Sequence, residues 1–71
     1  MRRFLIVLEK GANNFSSYSP DLPGCVATGA TPEETKARMK TAIALHVKGL
    51  REDRLPIPEP SAMAEYVEVA S

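Results

Sequence analysis

The hydrophobic pattern opens with an unbroken run, Phe4-Leu5-Ile6-Val7-Leu8. Short, continuously apolar and rich in branched side chains, it reads as a central strand over about residues 3–9, buried on both faces. Gly11-Ala12-Asn13-Asn14 is a turn cluster, and Phe15-Ser16-Ser17-Tyr18 follows with an aromatic ring at each end. The two runs form a predicted hairpin whose second strand covers about residues 15–19. Cys25-Val26-Ala27-Thr28 adds a third antiparallel strand, about 24–28, which completes a meander. The period then changes to three and four. Met39, Ile43, His46, Val47 and Leu50 share one face with Ala42 beside them, while Lys36, Arg38, Lys40, Lys48 and Arg51 occupy the remainder. This spacing predicts an amphipathic helix over about 32–53. Gly49 costs that helix roughly 1 kcal/mol relative to alanine; either the helix ends there through a glycine C-cap or another backbone packs closely over it, and the second is expected because Leu50 continues the apolar face. Proline at alternate positions in Leu55-Pro56-Ile57-Pro58-Glu59-Pro60 makes residues 55–60 a stiff strap near polyproline II geometry. Last, Glu65-Tyr66-Val67-Glu68-Val69 alternates polar and apolar residues, with Tyr66 opposed to Val67 across the pleat. It predicts a final edge strand over about 64–69.

The densest punctuation lies between Tyr18 and Glu34. Pro20 and Pro23 fix φ near −65°, and they push Ser19 and Leu22 to extended geometry. Gly24 offers a positive φ just before the third strand, and Gly29 ends it. Thr31-Pro32-Glu33-Glu34 then has the form of a helix start, with Thr31 as N-cap, Pro32 at N1 and Glu34 completing a capping box. The predicted class is therefore α+β: a small antiparallel three-stranded meander, one long helix and a final edge strand, in the order β-β-β-α-β.

Composition narrows the options. With 71 residues the chain makes one small domain, residues 1–71. A chain of this size buries only about 60% of its unfolded surface. A homo-oligomer, dimer or tetramer, is expected, and an edge strand pairing with its symmetry mate would build one. Formal net charge is zero but unevenly spread: residues 1–50 carry seven Lys and Arg against four Asp and Glu, whereas residues 51–71 carry two against five. Without a basic excess, indiscriminate nucleic-acid binding is disfavoured. One cysteine makes no internal disulfide, and one cysteine with one histidine makes no metal site, so neither metal nor cofactor is expected. The apolar run near the N-terminus is too short for a signal sequence or a membrane span, which points to the cytoplasm and away from membranes.

Tyr18-Ser19-Pro20-Asp21-Leu22-Pro23-Gly24-Cys25, followed by Thr28-Gly29 and Thr31-Pro32-Glu33-Glu34, resembles the opening signature of HicB-type antitoxins. Residues Ala42 to Leu50 and the strap Pro56-Ile57-Pro58-Glu59-Pro60 resemble that family's helix and proline-rich exit. The resemblance implies a reduced ribonuclease-H-like fold that is catalytically inert. It also implies a partner: a small basic HicA-type toxin, an mRNA-cleaving ribonuclease whose active site the antitoxin covers. Many relatives add a C-terminal DNA-binding segment. Here about a dozen residues follow the strap and read as one strand, so DNA binding is not expected. Relatives often place glycine where this chain has Arg54, so the helix must end at some cost or in a different way.

Asp21, with Glu9, Glu33 and Glu34, invites a reading as the carboxylate cluster of a metal-dependent nuclease. The plainer reading is stronger: Asp21 suits a turn between prolines, the two glutamates suit a helix N-terminus, and Glu9 ends a strand. His46 reads as a packed helix-face residue, Cys25 as a small buried thiol, and Lys36-Arg38-Lys40 as a solvated run around the helix. The acidic C-terminal stretch has the better functional case, because carboxylates steer and mask a basic partner. The residues assigned to partner binding are Tyr18, Asp21, Glu65, Tyr66 and Glu68, with no catalytic residue. A ribonuclease-H-like metal-dependent nuclease and a stand-alone oligomeric module without a toxin are the alternatives.

Overall fold

The computed structural model describes residues 2–71. Its elements are β1 (Val7–Lys10), β2 (Phe15–Ser19), β3 (Leu22–Gly29) and α1 (Pro32–Glu52). The strands form an antiparallel meander in the order β1-β2-β3, and the helix follows, giving the expected α+β arrangement. Register determines which side chains share a face. Val7, Tyr18 and Val26 are cross-strand partners on one side, while Leu8, Ser17 and Ala27 line up on the other. The second side carries the helix. There Leu22, Cys25 and Met39 are buried as a small core, with Phe4, Ile6, Ala27, Ala42 and Ile43 packed against it. The first side has no covering layer among the described residues.

β2 and β3 change register between Tyr18 and Ser19, where Tyr18 faces Val26 but Ser19 faces Leu22. The slack on β3 is taken up around Pro23 and Gly24, and Gly24 has φ 83°, a conformation that other residues adopt only at a cost. At the far end of β3, Gly29 is a close approach. A Cβ there would lie 2.6 Å from Thr35 Oγ1 and 2.9 Å from Thr35 N, so the first turn of the helix sits directly on the glycine.

The helix starts as its sequence predicts. Thr31 Oγ1 accepts from the Glu34 amide at 3.1 Å, and Glu34 Oε1 reaches back to accept from the Ala30 amide at 3.1 Å. Arg38 pairs with Glu34 at 3.2 Å and donates to Thr28 O at 3.0 Å, which joins the helix to the end of β3. At the other terminus Arg54 adopts φ 57°. The Leu55 amide donates to Leu50 O at 2.8 Å and the Arg54 amide to Arg51 O at 3.1 Å. Together these form a Schellman cap with arginine in the left-handed position that favours glycine. Gly49 lies inside the helix, but a Cβ there would meet nothing within 4 Å; the expected overlying backbone is absent, and nothing in the structure explains this glycine.

Two expectations need correction. The first strand is not central and not buried on both faces. It is the four-residue edge of the sheet, with Leu8, Glu9 and Lys10 exposed. The apolar run owes its character to Phe4 and Ile6, which pack against the core just ahead of the strand. Ser19 Oγ ties this leading segment to the sheet by donating to Leu5 O at 2.9 Å. The final strand over 64–69 is not formed, since residues 55–71 are neither strand nor helix. Alternation sorts side chains between two faces but supplies no backbone partner, and a strand exists only where its N–H and C=O groups meet a neighbour. No sheet edge pairs with this segment in the single subunit.

Candidate partner-binding surface

The uncovered face of the sheet presents Tyr18 at its centre. Its position in β2 opposite Val7 and Val26 points it away from the helix, and it is 42% exposed beside a Val26 that is 65% exposed. An aromatic ring flanked by branched side chains on a rigid sheet is the kind of surface that anchors a protein partner. Val26 was not singled out from sequence. In Cys25-Val26-Ala27-Thr28 the inward and outward positions depend on the register change at Pro23-Gly24, which the linear pattern does not display.

Asp21 has a different occupation. Its carboxylate accepts from Ser61 Oγ at 3.1 Å, from the Ser61 amide at 3.3 Å and from the Ala62 amide at 3.2 Å. The turn between the prolines therefore holds the end of the strap, aided by Arg2, which pairs with Glu59 at 3.3 Å. The structure brings the β2–β3 turn together with Ser61 and Ala62, at the root of the C-terminal segment. Beyond it, residues 63–71 are all exposed, including Glu65, Tyr66 and Glu68. Tyr66, at 104% exposure, makes no use of its ring within the subunit. The radius of gyration is 13.9 Å, against about 11 Å for a compact chain of this length. The acidic segment projects as an arm.

The carboxylates considered for metal chemistry are dispersed. Glu34 caps the helix, Asp21 holds the strap, and Glu9 sits opposite Ser16 on β1. Among the described residues, no three His, Cys, Asp or Glu side chains gather where they could share a metal ion. Cys25 is buried, and burial pushes its thiol above the ordinary range, opposite to the shift that activates a nucleophilic cysteine. His46 is half-buried on the helix. The basic run divides: Arg38 turns to the end of β3, while Lys36 and Lys40 line a groove on the other side of the helix. No described helix is long and apolar enough to cross a membrane.

The open sheet face carries Val7, Tyr18 and Val26 in one row and Glu9, Ser16 and Thr28 in the next, and the acidic arm is rooted beside it at Asp21. The chain was compared with protein families. The profile for the HicB_like antitoxin of bacterial toxin-antitoxin systems matches residues 4–70, spanning all three strands, the helix, the strap and nearly the whole arm. The chain belongs to the HicB-like antitoxin family. Comparison with curated proteins returned no match.

Proposed function

We propose that this chain is the antitoxin of a two-component pair, that it binds a small basic HicA-type mRNA-cleaving toxin, and that it acts by covering the toxin's catalytic surface without performing catalysis itself. The observation that carries this reading is the family match over residues 4–70. The surface supports it: Tyr18 and Val26 offer an apolar anchor, and Glu65 and Glu68 on the exposed arm supply charge opposite to that of a basic ribonuclease. Tyr66 adds a second exposed ring. Asp21 contributes indirectly by holding the arm's root. We read the meander and helix as a reduced ribonuclease-H-like domain, working in the cytoplasm as a homo-oligomer and without DNA-binding activity.

The direct test is recovery of the tagged protein from its own cells, with intact masses measured for whatever co-purifies. A stoichiometric basic polypeptide of similar small size, whose RNA cleavage stops when the antitoxin is added, supports the proposal. Tyr18→Ala should then weaken inhibition at least about tenfold, as loss of a central aromatic anchor does. Asp21→Asn separates the nuclease alternative. A metal-dependent enzyme relying on Asp21 would lose hydrolysis outright, whereas the antitoxin retains inhibition with reduced affinity. Recovery of the oligomer with no partner would favour the stand-alone module.

A further inference from the structure

The helix sits off-centre on the sheet. It packs chiefly on β3 and least on β1. Between the helix and residues 2–6, the segment leading into β1, lies an open groove of about 520 Å³, continuing along the helix into a second of about 760 Å³. Phe4, Ile6, Ile43 and Val47 give it an apolar floor. Lys36, Lys40, Lys48 and Arg51 stand around it, outnumbering its two acidic side chains, Glu33 and Glu59. The groove runs beside residues 2–6, which lead into β1, a sheet edge whose outer backbone groups have no strand partner among the described residues and so a template for one more strand.

The chain contains a segment with the matching chemistry. Glu65-Tyr66-Val67-Glu68-Val69 alternates as a half-buried strand would, sets the acidic Glu65 on the same side of the pleat as Val67 and Val69, and is exposed to solvent. Its own body does not hold it. The root is fixed at Asp21 by three hydrogen bonds, and the molecule is drawn out to 48 Å along its longest axis against 26 and 19 Å on the others.

We propose that the C-terminal arm of a second copy fills this groove, and that the two copies exchange arms around a two-fold axis. The second copy's Val67 and Val69 cover the floor, its Glu65 meets the lysines, and its backbone pairs with the β1 edge. Tyr66 and Glu68, on the opposite side of the pleat, then emerge on the open sheet face next to Val7 and its neighbour Tyr18. The docking surface is thereby composite, with Tyr18 from one copy and Tyr66 and Glu68 from the other. Only this last consequence rests on the antitoxin reading; the exchange stands on the groove and the arm.

The test is the mass of the purified full chain by light scattering across a dilution series, with no toxin present. The wild type should be a dimer. Val67→Asp with Val69→Asp alters two positions that are exposed in the single subunit, leaving its core intact, and should raise the dimer dissociation constant at least about tenfold. Lys40→Glu should weaken the dimer, and adding Glu65→Lys should restore part of the loss. In a dimer mixed from differently labelled copies, Val67 methyls should contact Ile43 between copies. A monomer at tens of micromolar, a dimer indifferent to the valine substitutions, or Val67–Ile43 contacts within one copy would overturn the exchange. So would an arm that becomes protected only when toxin is added. An arm-exchanged dimer that binds no ribonuclease would instead overturn the antitoxin reading and leave the exchange standing.

Discussion

Replacing Arg54 by glycine should make the protein more stable. Arg54 has φ 57° and holds the position through which the Leu55 and Arg54 amides close the helix end on Leu50 and Arg51 carbonyls. The left-handed conformation costs an L-residue about 1–2 kcal/mol. Glycine removes that cost but brings a floppier unfolded chain, which takes back about 0.4–1 kcal/mol. The expected net gain is about 0.5–1 kcal/mol. For a domain of this length, that corresponds to a rise of roughly 3–7 °C in melting temperature. The Arg54 side chain is exposed and enters no ion pair among the described residues, so little is lost with it. Arg54→Ala is the control, because it removes the side chain and keeps the strained backbone. It should melt within about 0.5 kcal/mol of the wild type, as surface substitutions do. The assay is thermal unfolding followed by far-ultraviolet circular dichroism, at one fixed protein concentration because association shifts the midpoint. If Arg54→Gly melts no higher than Arg54→Ala, backbone strain at this cap is not the controlling term.

Gly29→Ala should destabilise by about 2–3 kcal/mol, since a Cβ would meet backbone as well as side-chain atoms of Thr35 and the helix start must move; a chemical denaturation midpoint equal to wild type would refute the close approach. Two buried serines of β2 should respond in opposite senses. Ser17 Oγ is buried without a hydrogen-bond partner among the described residues, so Ser17→Ala should be neutral or stabilising by up to about 1 kcal/mol, whereas Ser19→Ala removes the bond to Leu5 O and should cost about 1 kcal/mol. Equal losses in urea titrations of the two variants would count against this assignment. Cys25 makes stability fall in alkali. Its thiol is raised by burial, so the folded state holds the proton after the unfolded chain has released it. The contribution is complete below the unfolded pKa, about 8.5, and is lost as pH rises from there through the folded value. Cys25→Ala should flatten the decline in unfolding free energy over that window, and an unchanged slope would place the effect elsewhere.

The local chemistry of the chain was readable residue by residue. Thr31, Pro32 and Glu34 start a helix because their side chains and fixed φ satisfy the backbone groups that any first turn leaves open. The three- and four-residue spacing of Met39, Ile43, His46, Val47 and Leu50 carries it past Gly49, and Pro20 marks the turn, whereas Pro23 and Gly24 fall inside β3. The structure leaves Tyr18, Glu65, Tyr66 and Glu68 exposed. The use made of Asp21 was not legible, because its partners at Ser61 and Ala62 lie some forty residues away and no local pattern links them. Nor did the apolar run Phe4–Leu8 reveal that β1 is an edge, since continuous hydrophobicity states a need for burial but not what supplies it.

What the sequence determined by itself is thus the helix, its start and the turns of the meander, all governed by interactions within a few residues; the strand it predicted over 64–69 did not form. Tertiary structure decided everything that depends on a partner distant in the chain. It turned the face with Tyr18 and Val26 outward, set the helix so that a basic groove opened between it and the segment leading into β1, and committed Asp21 to the strap. It also left the alternating segment Glu65–Val69 without a neighbour. A helix closes its hydrogen bonds within itself, so its sequence is sufficient to announce it. A strand closes them on another strand, and only the assembled fold shows whether one is there.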